Sequence, residues 1–91
     1  MIREYLVKKK PLILKAVEFT RELTDEELQR WSNKNAFIAH FDRDEEPCVV
    51  IKTLEGTIKA QYGDWIVQGV NGEFYPVNKD IMPKLYDFMR D

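Results

Sequence analysis

The chain has one cysteine, one histidine and one serine in 91 residues. With Cys48 alone, no disulfide can form within the chain, and Cys48 and His40 together are too few for a zinc cluster. Cys48 sits in the apolar run Pro47-Cys48-Val49-Val50-Ile51, where a buried, inert thiol is expected. His40, in Ala36–Phe41, reads as a structural or strand-end group rather than a catalytic base. Ser32 has no base in its sequence context, and no glycine-rich phosphate loop is present. No apolar stretch approaches the roughly 18 residues of a membrane span. The opening MIREYLVKKK lacks the apolar segment of a signal peptide, so a cytoplasmic protein is expected. Charge of the two signs is nearly balanced, and the net value of −2 argues against general nucleic-acid binding. The short basic run Lys8-Lys9-Lys10 belongs to an expected N-terminal arm over 1–10.

What is present is a normal complement for one small domain, 44% apolar and 33% charged, enough for one modest core. Residues 11–19, PLILKAVEF, read as a first strand. Thr24 followed by Glu27 is a capping box, with Leu23 and Leu28 placed as a hydrophobic staple, so a short helix is expected over 24–33. AFIAHF (36–41) reads as a strand and DRDEEP (42–47) as a charged loop. A meander follows, with strands at 48–53, 57–62, 64–70 and 73–77, then a C-terminal helix with Pro83 in its first turn. In that helix Ile81, Leu85 and Phe88 or Met89 are expected to face inward. The expected fold is α+β: a twisted, mainly antiparallel sheet or partly open barrel of about six strands, one short helix in the N-terminal half and one at the C-terminus. The whole chain, 1–91, is read as one domain.

Two turns set the expected registers. Asn71-Gly72 is a strong type I′ signal, which pairs Val70 with Glu73, Gln68 with Tyr75 and Ile66 with Val77. Both faces of that hairpin are then apolar, so it needs cover on both sides: the C-terminal helix on one, and the first helix, a second sheet layer or another subunit on the other. A homo-oligomer is the expectation drawn from this. A two-residue turn at Glu55-Gly56 pairs Thr53 with Ile58, Ile51 with Ala60 and Val49 with Tyr62. It also opposes Lys52 and Lys59, an arrangement that often has an anion or a carboxylate nearby. Gly63 permits a tight bend, and Asp64 can cap it with its own carboxylate.

The motifs Thr53-Leu54-Glu55-Gly56, Lys59-Ala60, Gly63-Asp64-Trp65-Ile66-Val67, Gly69 to Pro76 (GVNGEFYP), Asp80-Ile81 and Tyr86 together resemble a family of small phage and prophage proteins. The family hallmark is a Pro-Gly-Asp-Tyr/Trp-Ile turn and strand, then Gly-x-x-Gly-Glu-x-Tyr-Pro and a closing helix. The match spans about 50–88, within a motif-bearing segment at 48–88, and Val17-Glu18-Phe19 is also similar. Tyr62 stands where the family often has proline. The family has no settled biochemical activity, so the resemblance implies a phage origin and transfers no catalytic residue. The reading that follows is a non-enzymatic phage accessory protein in the cytoplasm of an infected or lysogenic bacterium. Its expected mode is antagonism of host defence, by sequestering a nucleotide-type ligand or blocking a host protein. Lys52, Lys59 and Arg43 would neutralise phosphate, and Trp65 or Tyr75 would stack on a base. No cofactor, metal or membrane partner is expected. The alternative is a protein-interaction or assembly module with no small ligand, and an enzyme using His40 and a carboxylate is the third reading.

Overall fold

The structure, a computed structural model, describes residues 2–6, 11–40 and 46–89. Its elements are β1 (Lys15–Glu18), α1 (Asp25–Trp31), β2 (Ala36–Ala39), β3 (Cys48–Thr53), β4 (Gly56–Ala60), β5 (Trp65–Gln68), β6 (Phe74–Val77) and α2 (Met82–Leu85). They form an α+β fold of two three-stranded antiparallel sheets, ordered β1-β5-β6 and β2-β3-β4, not closed into a barrel. The Arg43 position and residues 7–10 and 41–45 lie outside the described residues, as do the phosphate role expected of Arg43 and most of the charged loop and basic run.

The main core lies between the sheets. Ala36, Val49, Ile51 and Ala60 from one sheet meet Phe19, Ile66 and Phe74 from the other and its flanks, and Leu28 of α1 closes the side. Leu28 is fully buried, which is worth about 1.5–3 kcal/mol for a side chain of this size. The helix starts where its cap requires. Thr24 Oγ1 accepts the Glu27 N–H at 3.1 Å, and the Glu27 carboxylate accepts the Thr24 N–H at 3.1 Å. That contact with Thr24 holds the Glu27 carboxyl below its ordinary range. Leu23 and Trp31 pack on the same core, Trp31 with its ring edge toward Phe74, 5.2 Å between centroids.

A smaller core covers the opposite face of the β1-β5-β6 sheet. Val67 and Val77 pack on Met82, with Trp65, Tyr75 and Tyr86 around them. Both faces of the β5–β6 hairpin are therefore covered by this chain itself: one by the second sheet, the other by the segment after Val77. The apolar faces that suggested a partner subunit are accounted for without one.

Both hairpins differ in register from the sequence reading. In β5–β6, Gln68 faces Phe74, Val67 faces Tyr75 and Trp65 faces Val77. The loop is three residues long, not a two-residue type I′ turn. The Gly69 N–H donates to the Glu73 carbonyl at 2.7 Å and the Gly72 N–H to the Gly69 carbonyl at 3.0 Å. Gly72 alone there has positive φ, +82°, the left-handed position that follows a type I turn in such loops. The Glu73 carboxylate accepts the Asn71 N–H at 2.9 Å, which holds the longer loop. In β3–β4, Thr53 faces Gly56, Ile51 faces Ile58 and Val49 faces Ala60. The turn residues are Leu54 and Glu55, and Gly56, with φ +132°, begins the strand. Thr53 Oγ1 accepts the Glu55 N–H and donates to the Gly56 carbonyl at 2.7 Å, so the threonine closes the turn.

The C-terminal helix is a single turn. Tyr86 is extended (φ −133°, ψ 141°), and Met82, not the expected stripe, is the buried residue. Ile81, Leu85, Phe88 and Met89 are exposed. The stripe fails because the chain leaves the helix to reach the sheet. The hydroxyls of Tyr75 and Tyr86 share a 3.0 Å hydrogen bond, and Phe88 lies 4.9 Å from Trp65 between ring centroids. Among the described residues no helix is long and apolar enough to cross a membrane.

Candidate functional site

The side chains expected to hold a nucleotide are not gathered in one place. Lys52 faces Thr57, and Lys59 faces Val50. The lysines share the outer face of their sheet but stand diagonally, not opposed, so the like-charge pair expected across the hairpin is not formed. Lys52 Nζ lies 5.8 Å from the centre of the Phe37 ring. Trp65 and Tyr75 belong to the other sheet, half-buried in the smaller core. Burial and the Tyr86 hydroxyl push the Tyr75 phenol up to about 12. Tyr75, packed on the smaller core and tied through its hydroxyl to Tyr86, takes part in holding the fold.

Residues singled out for other reasons also find structural places. His40 is exposed just past β2. Cys48 is half-buried at the start of β3, less enclosed than its apolar run suggests, because it lies at the sheet's end on the outer face. Asp64 caps the bend at Gly63: its carboxylate accepts the Gln61 N–H at 2.9 Å, and Gly63 has φ +91°. Ser32 is the least expected. It is fully buried, and its hydroxyl accepts the Ala36 N–H at 2.9 Å and donates to the Ala36 carbonyl at 3.2 Å. Among the described residues, no cluster of three or more His, Cys, Asp or Glu could hold a metal ion.

One concave surface does emerge. A shallow, open groove of about 640 Å³ runs between the tips of the two hairpins. Lys52, Leu54, Glu55 and Ile58 form one bank, and Asn71, Glu73 and Phe74 the other. Leu54 is fully exposed and Ile58, on the inward face of β4, is still 41% exposed. They leave the mouth of the sandwich apolar, with two amides, an ammonium and two carboxylates around it. Of the described residues expected at a ligand site, Lys52 and Tyr75 border this groove, and Tyr75 packs on the smaller core. Leu54, Ile58 and Glu73 were not singled out; the one signal for Leu54 was a large apolar residue within a turn. A second depression, about 510 Å³, lies on the outer face of α1. There Arg30 pairs with Glu26 at 2.9 Å in contact with solvent, and the Gln29 amide donates to the Asp25 carboxylate at 2.6 Å.

No family model matches this chain, and neither a curated protein nor a solved structure shows significant similarity to it.

Proposed function

We propose that this chain is a phage accessory protein that acts by binding another protein through the groove between its hairpin tips, without chemistry of its own. The observation that carries this reading is the open apolar mouth formed by Leu54 and Ile58, rimmed by Lys52, Glu55 and Glu73. An apolar centre with a charged rim is the ordinary anatomy of a protein interface. A nucleotide site calls for cations and a stacking ring together, and here Trp65 and Tyr75 are committed to packing on the other sheet. The phage assignment rests on the motif between residues 50 and 88, and the natural target is a host protein whose action the phage must blunt.

The test is site-specific photo-crosslinking in bacteria, with the reactive residue at Leu54 and a control at Glu26 on α1. The expected result is one discrete adduct with a second protein from position 54, absent from position 26 and lost on Ile58→Asp. An adduct only with the chain itself overturns the reading. So does a nucleotide that raises the melting temperature of the native protein and fails to raise that of Lys52→Gln, which returns the choice to a small ligand.

A further inference from the structure

The two sheets have four outer strands, and three carry a feature that discourages another strand. In β2 three outward groups are already taken: the Ala36 N–H and carbonyl by Ser32, and the Ile38 N–H by the Asp25 carboxylate at 2.8 Å. In β6 the hydrogen bond from Gly69 to Glu73 fixes which residues pair with β5, and Pro76 falls at an outward position with no N–H to offer. β1 is four residues long and has an exposed charge at each end, Lys15 and Glu18.

β4 is different. Among the described residues it has a strand neighbour only on the β3 side, and it is exposed from Gly56 through Lys59. The Lys52 N–H donates to the Asn35 carbonyl at 2.8 Å, so Lys52 turns its main chain toward β2. Ile51 and Thr53 therefore turn theirs toward β4, where they meet Ile58 and Gly56. By alternation, the N–H and carbonyl of Thr57 point away from β3.

We propose that β4 is a self-association edge, on which a second copy of this chain pairs antiparallel about a two-fold axis at Thr57 to make one six-stranded sheet. Charge selects this register. With Thr57 opposite Thr57, Glu55 of each copy stands beside Lys59 of the other, so opposite charges meet twice by symmetry. An axis at Ile58 sets Glu55 beside Gln61, and an axis at Lys59 opposes two lysines. The Thr57 register also brings the exposed Ile58 side chains into diagonal reach across Gly56, which has no side chain to obstruct them. Glu55 and Ile58 border both the edge and the groove, but Thr57 does not line the groove, so Thr57→Pro lets this association and the partner contact proposed above fail separately.

Sedimentation equilibrium over a wide concentration range tests the inference with three variants. The native chain should pass from 10.8 kDa to twice that mass as concentration rises. Thr57→Pro removes an N–H that sheet pairing within the chain does not use, so it should stay folded by circular dichroism and stay monomeric. Glu55→Lys should weaken the dimer by about tenfold or more, and Glu55→Lys with Lys59→Glu should restore it. If Thr57→Pro unfolds, the charge reversal and its rescue carry the test. A mass of 10.8 kDa at every concentration overturns the proposal, as does a dimer indifferent to both Thr57→Pro and Glu55→Lys.

Discussion

Ser32 illustrates how much one side chain can do in a small protein. Its hydroxyl is the partner of both backbone groups of Ala36, in a place that water does not reach. Ser32→Ala leaves a buried N–H with no acceptor, so the loss should be about 1–3 kcal/mol in urea unfolding. An unchanged midpoint and slope would mean that the Ala36 amide finds another acceptor. Around it the backbone bends sharply: Asn33 and Lys34 have φ of 53° and 67°, and the Lys34 N–H donates to the Gln29 carbonyl at 2.7 Å to close the helix. Asparagine tolerates that region; lysine does so less readily. The sequence marks the stop of α1 through Asn33-Lys34-Asn35, but nothing in it marks Ser32. A serine at a helix end looks the same whether it faces solvent or fills the angle between a helix and a strand.

At the scale of elements, the hairpins show where pattern loses its power. The β3–β4 register differs from the expected one by two residues, and a shift of two returns every side chain to the same face. Apolar alternation cannot separate the two; the Thr53 hydroxyl and the positive φ of Gly56 do. The β5–β6 register differs by one, which exchanges the faces, but both faces are apolar and each is covered within the chain. The strand order along the chain, the start of α1 and the two-faced hairpin were legible because caps and apolar runs are local. The candidate site was legible at Lys52 and Tyr75 but not at Leu54, Ile58 or Glu73, because a groove between two loops depends on registers that local pattern leaves open. Gly72→Val should cost about 1–3 kcal/mol in thermal unfolding, since a β-branched residue is poorly suited to a φ of +82°. An unshifted melting temperature would show that the loop adopts another shape. Burial of Tyr75, together with its hydrogen bond to Tyr86, gives the second hairpin a pH signature. The folded phenol titrates at about 12 against 10.0 for an ordinary tyrosine, so its contribution to stability is complete below pH 10 and declines between those values. Tyr75→Phe should flatten the decline in stability across that window. A variant that declines as steeply as the native protein would place the effect elsewhere.

At the scale of the whole molecule, the chain is a sandwich with a strap. The segment after Asp80 lays Met82, Tyr86 and Phe88 over the outer face of β5 and β6, and without it Trp65, Val67 and Val77 would face water. Ending the chain at Asp80 should lower the melting temperature sharply and broaden the transition, with new binding of an apolar dye; a sharp transition at the native temperature would show the strap to be dispensable. α1 has a comparable duty toward β2, through the Asp25 carboxylate on the Ile38 amide and Ser32 on Ala36. The consequence concerns survival in a crowded cell rather than shape. When α1 lifts away, the chain uncovers a strand rich in alanine, phenylalanine and isoleucine, with its outer main-chain groups released for any neighbour to capture. The hold of one seven-residue helix thus keeps the outer side of β2 from pairing with a neighbouring chain.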